Sequence, residues 1–303
     1  MHDTTTVSVL LPVYNASRYL AAAVESILGQ TYHNFELLML DDGSTDDSLA
    51  QLRRYEARDS RVRVVSRPNT GIVGALNDLV ALATSEWMFR MDADDIARPH
   101  RFERQLAYLK MNPECVALGS RAQFIDPEGL PIFEYVDCFD HAAIEKTLLL
   151  PDIGILHPTA VMNRSAVLAA GGYRPDYPHV EDLDLFLRLG EQGQLANVPE
   201  VLLDYRVHVG SVTHSHTVAQ HIAGLRVVRD ACARRGIPFH RGDELLHPRA
   251  RVETASGLHR KWAWWALGAG NLRTSRKHAF RALLPEPGNV ENWRVLACAL
   301  RGR

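Results

Sequence analysis

Two short acidic segments stand where predicted β-strands end. Asp41-Asp42-Gly43-Ser44 directly follows the apolar run 35–40, and Asp92-Ala93-Asp94-Asp95 directly follows residues 87–91. The carboxyl ends of the strands in an open parallel sheet line its ligand crevice, so we expect both segments to meet in one site. Carboxylates that lie together repel one another unless a cation sits between them. Mg²⁺ or Mn²⁺ binds one or two carboxylates together with substrate oxygens, so the sequence predicts a metal-bound nucleotide.

The second segment has the spacing that such a site needs. In an extended chain, side chains two residues apart point to the same side, so Asp92 and Asp94 can act on one ligand. One carboxylate could reach a ribose while the other binds the cation. The alternative is an acidic loop that precedes the helix predicted after Pro99.

Strand and helix patterns alternate through the first hundred residues at the spacing of βαβ units. The predicted strands cover residues 7–11, 35–40, 62–65 and 87–91. Helices are predicted over 19–28, 71–83 and 99–111, and another begins at about Thr45 with Asp46 and Asp47 in its first turn. From Cys115 to about Tyr205 the pattern is mixed. After Ser211 only helical runs remain, at 214–235, 256–270, 272–284 and 289–301.

These elements predict an α/β fold with a Rossmann-like, mixed and mainly parallel sheet flanked by helices, followed by a C-terminal helical appendage. We divide the chain into a domain of residues 1–212 and a basic helical region of residues 213–303. Within the first domain, residues 1–111 form the nucleotide-binding half and residues 112–212 the acceptor half.

Composition is that of a globular protein, with 46% hydrophobic and 23% charged residues among 303. The apolar stretch 262–272 is too short to span a membrane, and no basic region precedes an apolar run at the N-terminus. Four cysteines without C-x-x-C spacing fit reduced thiols. We therefore expect a cytoplasmic protein, either free or peripheral at the cytoplasmic membrane face.

The formal net charge of −2 is unevenly distributed. Residues 1–212 contain 18 Lys and Arg and 30 Asp and Glu, a balance of −12, whereas residues 213–303 contain 16 and 6, a balance of +10. The basic region either meets an acidic partner or is a solvated helical face. Trp262, Trp264 and Trp265 follow Arg260 and Lys261, so they could anchor the chain at a membrane face or form a helical core.

Several chemistries are excluded because their signatures are missing. The chain contains no G-x-G-x-x-G, P-loop, H-E-x-x-H or G-x-S-x-G motif, which argues against dehydrogenase, kinase, zincin and hydrolase functions. Nucleotidyl transfer would need a Gly-rich basic phosphate loop near the N-terminus, and Leu11-Pro12-Val13-Tyr14-Asn15 is neither.

The order of motifs over roughly residues 5–212 resembles the family 2 glycosyltransferases, which are inverting enzymes with the GT-A fold. The matching segments are 7–15, Asp41-Asp42-Gly43-Ser44-Thr45-Asp46, Asn69-Thr70-Gly71 leading to Asn77, Asp92-Ala93-Asp94-Asp95, His157-Pro158, Gly171-Gly172-Tyr173, Glu181-Asp182 and Tyr205-Arg206-Val207-His208. Any one of these motifs is weak alone, and their shared order makes the resemblance specific.

The resemblance implies nucleotide contacts from residues that follow the first four strands: Pro12, Tyr14, Asn15, Asp42, Asn69, Gly71 and Asp92. Tyr14 would stack on the base, since a tyrosine ring offers contact area and a polar tip. Asp42 would accept a hydrogen bond from the ring N–H of a uracil-like base. As isolated segments, both loops could equally be ordinary turns. Residues 74–77 lack the basic residue that some relatives place near the nucleotide, and UDP is the expected nucleotide.

The same resemblance implies a divalent cation, Mn²⁺ or Mg²⁺, as cofactor. Asp94 would be its direct ligand, Asp95 a third acidic member, and His208 a further ligand from the segment after Tyr205. Imidazole suits Mn²⁺ and is a poor ligand for Mg²⁺, so a role for His208 would favour Mn²⁺.

Catalysis and acceptor binding are implied for the second half. Asp182 matches the family's general base, and its neighbour Glu181 competes for that role or binds the acceptor. His157 and Tyr173 match acceptor-side motifs and would shape the sugar pocket or set turns. Asp184 is interpreted as an acidic residue that favours the first turn of a helix.

The function implied is transfer of a sugar, with inversion, from a nucleotide-sugar, expected to be a UDP-sugar, to a glycan or lipid-linked saccharide acceptor. A nucleotidyltransferase and a binding protein of the same fold without transferase activity are the alternatives. No nucleic-acid partner is expected, and membrane contact would be peripheral, through residues 213–303.

Overall fold

The computed structural model describes residues 6–135, 137–177, 179–208, 217–240 and 254–302. The first part of the chain alternates strands and helices: β1 (Val7–Val13), α1 (Leu20–Leu28), β2 (Phe35–Asp41), α2 (Ser48–Glu56), β3 (Val62–Ser66), α3 (Ile72–Leu82), β4 (Trp87–Arg90), β5 (Ile96–Ala97) and α4 (Arg101–Met111). The middle part is mixed: β6 (Cys115–Ile125), β7 (Pro131–Tyr135), α5 (His141–Leu148), β8 (Val161–Asn163), α6 (Arg164–Ala169), α7 (Glu181–Gly190) and β9 (Gln194–Arg206). Helices then follow: α8 (Thr217–Arg235), α9 (Ala255–Gly268), α10 (Leu272–Leu283) and α11 (Val290–Arg301).

The strands form one nine-stranded sheet in the order β3-β2-β1-β4-β8-β6-β9-β5, with β7 paired to β6. Strands β1 to β4 pair in parallel, and antiparallel pairing begins where β4 meets β8. β6 and β9 are again parallel. The predicted mixed α/β fold is confirmed. Strand order reverses beside β1, between β2 and β4, and such a switch point is where open α/β sheets bind ligands.

Burial explains why β1 reads as a continuous apolar run. All seven residues from Val7 to Val13 are buried, because helices cover both faces of a parallel sheet. Helix α1 contributes Leu20, Ala23, Val24 and Ile27 to one of the two large cores, at the spacing of a single helical face.

Helix α2 begins at Ser48, three residues later than the sequence pattern predicted. The reason is a competing use of Asp46, whose carboxylate accepts hydrogen bonds from the backbone N–H groups of Ser17 and Ser48. Asp46 therefore fastens the loop after β1 to the loop after β2, and it lies outside the helix that its charge was expected to favour.

The helices after residue 216 pack against different parts of the sheet domain. Helix α8 lies on α7, where Val227, Val228 and Ala231 join the second core. Helices α9 to α11 pack together. Helices α9 and α10 contact β7, with the rings of Trp265 and Phe133 4.8 Å apart. Trp262 is fully buried and belongs to the core. Among the described residues, no helix has the length and apolarity to cross a membrane.

A buried ion pair joins α10 to the turn between β6 and β7. Asp126 and His278 are both fully buried, with their Oδ2 and Nε2 atoms 3.0 Å apart, and Lys277 also binds Asp126. Burial alone would raise the pKa of Asp126, but hydrogen bonds from His278 and Lys277 outweigh it and hold that pKa well below its usual range. Glu128 on the same turn pairs with Arg281 at the surface.

Asp126→Asn should lower the free energy of unfolding by about 3 kcal/mol, because it leaves His278 and Lys277 without their carboxylate. Because the folded-state pKa is depressed, the stability supplied by Asp126 is present above the unfolded pKa of about 4 and is lost as the pH falls below it. Urea unfolding at pH 7 and pH 3 measures both effects. Glu128→Gln is the control, and its half-exposed pairs should be worth less than about 1 kcal/mol. Equal losses for the two variants at pH 7 would contradict the assignment.

Candidate active site

The acidic segment after β4 forms a compact cluster. Asp92, Asp94 and Asp95 can each offer a carboxylate oxygen such that all three atoms lie within 4.8 Å of one another. Asp95 is fully buried, and its Oδ1 accepts a hydrogen bond from the backbone N–H of Arg206 at 2.8 Å. Its Oδ2 has no hydrogen-bond partner among the described residues. An orphaned buried oxygen beside two more carboxylates fits a hard divalent cation, as the sequence predicted.

Arg90, the last residue of β4, offsets part of this negative charge. Its guanidinium is buried and lies 2.6 Å from Asp92 Oδ1. Burial nevertheless raises the pKa of Asp92, Arg90 opposes that change, and the charges of Asp94 and Asp182 add to it. The charge of Asp182 acts on Asp92, so the start of α7 is near enough to the acidic cluster for the two charges to interact.

His208 lies beside the cluster, with its Nε2 3.2 Å from Asp94 Oδ2. The ring of Tyr19 supports this arrangement, because its centroid is 5.8 Å from that of His208 and 4.6 Å from the guanidinium carbon of Arg206. The structure thus brings together the two residues predicted to bind metal. An imidazole beside the acidic cluster would suit Mn²⁺ better than Mg²⁺ as the bound cation.

The loop after β2 is held against the loop that precedes α3. The Asp42 carboxylate accepts hydrogen bonds from the backbone N–H groups of Thr70 at 3.1 Å and Gly71 at 2.9 Å, and lies 3.0 Å from the guanidinium of Arg67. Gly43 has φ +75°, and a Cβ there would lie 2.8 Å from the backbone nitrogen of Asn69. The two loops therefore touch at backbone level, which explains why glycine stands at position 43.

The remaining residues predicted to bind nucleotide lie around these loops. Pro12 is buried in β1, whereas the Tyr14 side chain is 54% exposed and Asn69 is also exposed. Asn15 has a positive φ of 49°, and its Oδ1 accepts a hydrogen bond from the backbone N–H of Thr45 at 2.8 Å. An exposed aromatic ring above a fixed loop can stack on a planar ligand.

Helix α7 begins with the two acidic residues of the acceptor half. Asp182 is half-buried, and its Oδ1 accepts a hydrogen bond from the N–H of Leu183 at 2.8 Å. Glu181 is buried, and its Oε2 has no hydrogen-bond partner in the described part of the chain. Burial raises the pKa of both groups, and with the charge of Asp182 it brings that of Glu181 to about 7.

His157 and Tyr173 lie in the interior of the protein. The His157 Nε2 and Tyr173 Oη atoms share a hydrogen bond of 2.8 Å, and both side chains are buried. The Asn77 side chain bonds both backbone groups of Tyr173, at 2.8 and 2.9 Å. This arrangement fixes the segment before α7, and direct acceptor contact by either residue remains a prediction.

Asp184 lies in the first turn of α7, as predicted, and it also makes ion pairs that the sequence did not predict. It is fully buried, and its carboxylate pairs with Arg174 and with Arg188, one helical turn along α7. Arg188 also donates hydrogen bonds to the carbonyl oxygens of Ala170 and Gly172. Asp184 therefore also holds α7 to the loop before it.

Sequence reasoning missed the arginines of this site. Arg67, Arg90 and Arg206 each reach an acidic residue of the predicted motifs or its backbone. The sequence lacks a basic residue at 74–77, but a Cβ at Gly74 would lie 3.0 Å from Nη2 of Arg67, so the preceding loop brings a guanidinium to that place. Arg90 could have been found from its position at the end of a buried strand, two residues before Asp92.

Comparison with known proteins identifies the family. The profile of glycosyl transferase family 2 matches residues 8–170. The chain belongs to glycosyl transferase family 2. The O-antigen biosynthesis glycosyltransferase WbnJ of Escherichia coli is 32% identical over 214 residues, which cover 69% of this chain and 82% of WbnJ.

Solved structures show the same fold. Residues 1–349 of S. aureus TarS in complex with UDP-GlcNAc align with a TM-score of 0.63 and 16% identity, covering 99% of this chain and 93% of that one. The mannosyltransferase PcManGT from Pyrobaculum calidifontis, in complex with GDP-Man and Mn²⁺, aligns with a TM-score of 0.58 and 18% identity, covering 97% and 79%. For this family 2 glycosyltransferase, the predictions of family, GT-A fold and enzyme class are confirmed. The roles of individual site residues stay predictions.

Glu181→Gln should stabilise the protein at alkaline pH. The folded-state pKa of Glu181 is raised. The contribution of this carboxyl group to the free energy of unfolding is therefore present in full below the unfolded pKa of about 4.5, and it is lost as the pH rises towards and through about 7. The variant, which never ionises, should gain on the order of 3 kcal/mol at pH 8 and little at pH 4 in urea unfolding. Glu191→Gln is the control, because Arg234 and Arg235 lower the pKa of Glu191 and its replacement should destabilise at pH 8. A gain of equal size at both pH values would refute the buried-carboxylate explanation.

Proposed function

We propose that this glycosyltransferase moves a sugar from a nucleotide-sugar, expected to be a UDP-sugar, to a glycan or lipid-linked saccharide, with inversion and by a single displacement. The observation that carries the proposal is the cluster of Asp92, Asp94 and Asp95 at the end of β4, with Asp182 in the first turn of α7 near enough for its charge to act on Asp92. A carboxylate on the acceptor side and a cation site on the donor side are the two groups that such a displacement requires.

Different residues would act on the acceptor and on the leaving diphosphate. The acceptor oxygen attacks the anomeric carbon while the bond from that carbon to the diphosphate oxygen breaks. Asp182 takes the proton of the acceptor hydroxyl, and Glu181 is the alternative base. Asp94, with Asp92, Asp95 and His208, would hold a divalent cation, which when bound would neutralise charge on the leaving diphosphate.

Donor binding is assigned to the loops that Asp42 fixes. Tyr14 would stack on the base and Asp42 would accept its ring N–H, while Arg67 supplies positive charge beside them. A carboxylate has about four acceptor sites, so the bonds from Thr70 and Gly71 leave Asp42 room for one more donor. The TarS and PcManGT structures contain UDP-GlcNAc and GDP-Man, which supports a nucleotide-sugar donor. PcManGT also contains Mn²⁺, which supports the proposed cofactor.

The acceptor class follows from relatives and is part of the proposal. WbnJ is named for O-antigen biosynthesis, which supports a place in polysaccharide assembly. Screening a panel of nucleotide-sugars for Mn²⁺-dependent release of the nucleoside diphosphate tests the proposal as a whole. Release from one or two donors is expected, and no release from any donor with Mn²⁺ would count against it.

Asp94→Ala should abolish most of the metal dependence of UDP binding. By calorimetry with UDP, the gain in affinity on adding Mn²⁺ should fall by roughly tenfold or more, because the variant loses a direct ligand. Asp47→Ala removes an exposed carboxylate outside the cluster and should bind like wild type. Unchanged affinity and metal dependence in Asp94→Ala would overturn the assignment of this ligand.

Asp182→Asn should preserve donor binding and lower turnover by on the order of 10²–10⁴, the usual effect of losing a general base. Transfer rate and UDP affinity are measured on the same preparation, so a folding defect is recognised by weaker UDP binding. If Asp182→Asn transfers sugar at the wild-type rate while Glu181→Gln does not, the base is Glu181.

A further inference from the structure

Helix α11 is apolar on two opposite faces. Its inner face buries Asn292, Val295, Leu296 and Ala299 against the neighbouring helices. The outer stripe is Val290, Trp293, Ala297 and Leu300, at the i, i+3, i+7 and i+10 spacing of one helical face. Val290, Trp293 and Leu300 are 75%, 54% and 55% exposed. An outer face of a surface helix is normally polar, so this stripe indicates a second contact.

Helix α10 extends the same surface. Phe280 and Leu284, four residues apart, are 50% and 79% exposed. The Arg276 guanidinium, on the same side of α10, donates hydrogen bonds to the carbonyl oxygens of Ala299 at 3.0 Å and Leu300 at 3.4 Å. This contact joins the exposed side of α10 to the last turn of α11, where Leu300 of the outer stripe lies. We call Phe280, Leu284, Val290, Trp293 and Leu300 the hairpin face.

Positive charge borders the hairpin face. Residues 254–302 contain eight Lys and Arg and two Glu, a formal net charge of +6. Arg273 shares the exposed side of α10, and Arg294 and Arg301 flank the stripe on α11. Arg294 is 67% exposed, and its guanidinium lies 3.6 Å from the carboxylate of Glu291. Exposed guanidinium groups around an apolar stripe are complementary to a surface that is apolar within and anionic at its rim.

We infer that the hairpin face docks on the headgroup region of an anionic lipid bilayer. The apolar side chains would enter the boundary between headgroups and acyl chains, and the arginines would meet lipid phosphates. Trp293 suits this position because its indole N–H donates to the carbonyl of Pro287 at 2.8 Å, so the ring can leave water without an unpaired donor. Helix α10 is tied to the sheet domain by the contact of His278 with Asp126, so docking would orient the active site relative to the bilayer.

A second copy of the chain fits this face less well. A two-fold contact places the same patch on itself, so Arg294 and Arg301 of both copies would crowd one interface with only Glu291 to offset them. The inference concerns where the enzyme is held and does not depend on its donor or on its catalytic base. Its test measures no sugar transfer, so failure of the proposed function leaves it standing.

Vesicle co-sedimentation of the full chain tests the inference. Wild type should bind phosphatidylcholine vesicles that contain about 30 mol% phosphatidylglycerol, should bind pure phosphatidylcholine weakly, and should lose binding between roughly 50 mM and 500 mM NaCl. Arg294→Glu with Arg301→Glu should lower the partition coefficient by roughly 30-fold or more. Leu284→Ser with Trp293→Ser should lower it by about tenfold or more, because two exposed apolar anchors are lost.

Matched controls are available on the catalytic domain. Met111 and Leu168 are 79% and 48% exposed, and their double replacement by Ser should leave vesicle binding unchanged. Arg58→Glu with Arg104→Glu reverses the same charge elsewhere on the surface and should have at most a small, salt-dependent effect. Unfolding curves like that of wild type show that the hairpin variants remain folded.

Three results would overturn the inference. The first is no binding to anionic vesicles at low salt, and the second is equal loss of binding in the hairpin and control variants. The third comes from analytical ultracentrifugation: a wild-type dimer that Leu284→Ser with Trp293→Ser separates into monomers would assign the face to a second copy of the chain.

Discussion

Crowding of negative charge at the end of β4 is the constraint on which the site depends. Asp92 and Asp95 have raised pKa values because burial and neighbouring carboxylates disfavour their ionised forms, and Asp182 adds to the field at Asp92. Arg90 offsets this charge by pairing with the Asp92 carboxylate. Arg206 offsets it through its backbone N–H, which donates to the Asp95 carboxylate, and through its guanidinium, which donates to the carbonyl oxygen of Asp94. Two partly shielded arginines do not balance the carboxylates fully, so a divalent cation bound with its nucleotide would complete the balance.

Arg206 also links the site to the C-terminal helices. Its guanidinium donates to the carbonyl oxygens of Asp94 and Asp126, and the Asp126 carboxylate is in turn held by His278 and Lys277. The basic helices therefore help to hold the acidic cluster in place. Their positive charge has two uses within one region, with Lys277 turned inward onto Asp126 and Arg294 turned outward to solvent.

The sequence could predict what depends on local pattern, and it missed what depends on distant pairing. Buried strands such as β1 read as apolar runs, and the paired aspartates at 92 and 94 stand out by spacing, so the sequence could predict the mainly parallel sheet and the acidic cluster. The link from Arg206 to Asp95 joins residues 111 positions apart, and no periodicity announces it. The start of α2 was misplaced for the same reason, since Asp46 bonds to Ser17 across two loops.

The acidic residues at the start of α7 differ in their partners, although they form one cluster in the sequence. Asp184 is neutralised by two arginines and fixes the helix. In the described part of the chain, Glu181 Oε2 has no hydrogen-bond partner, and Asp182 accepts a hydrogen bond from the N–H of Leu183. Carboxylates left without a cation beside them hold protons more tightly, which is the property a group needs to accept a proton near neutral pH. The ion pairs of Asp184 stabilise the start of α7 and so hold in place Glu181 and Asp182, the two residues proposed as the catalytic base.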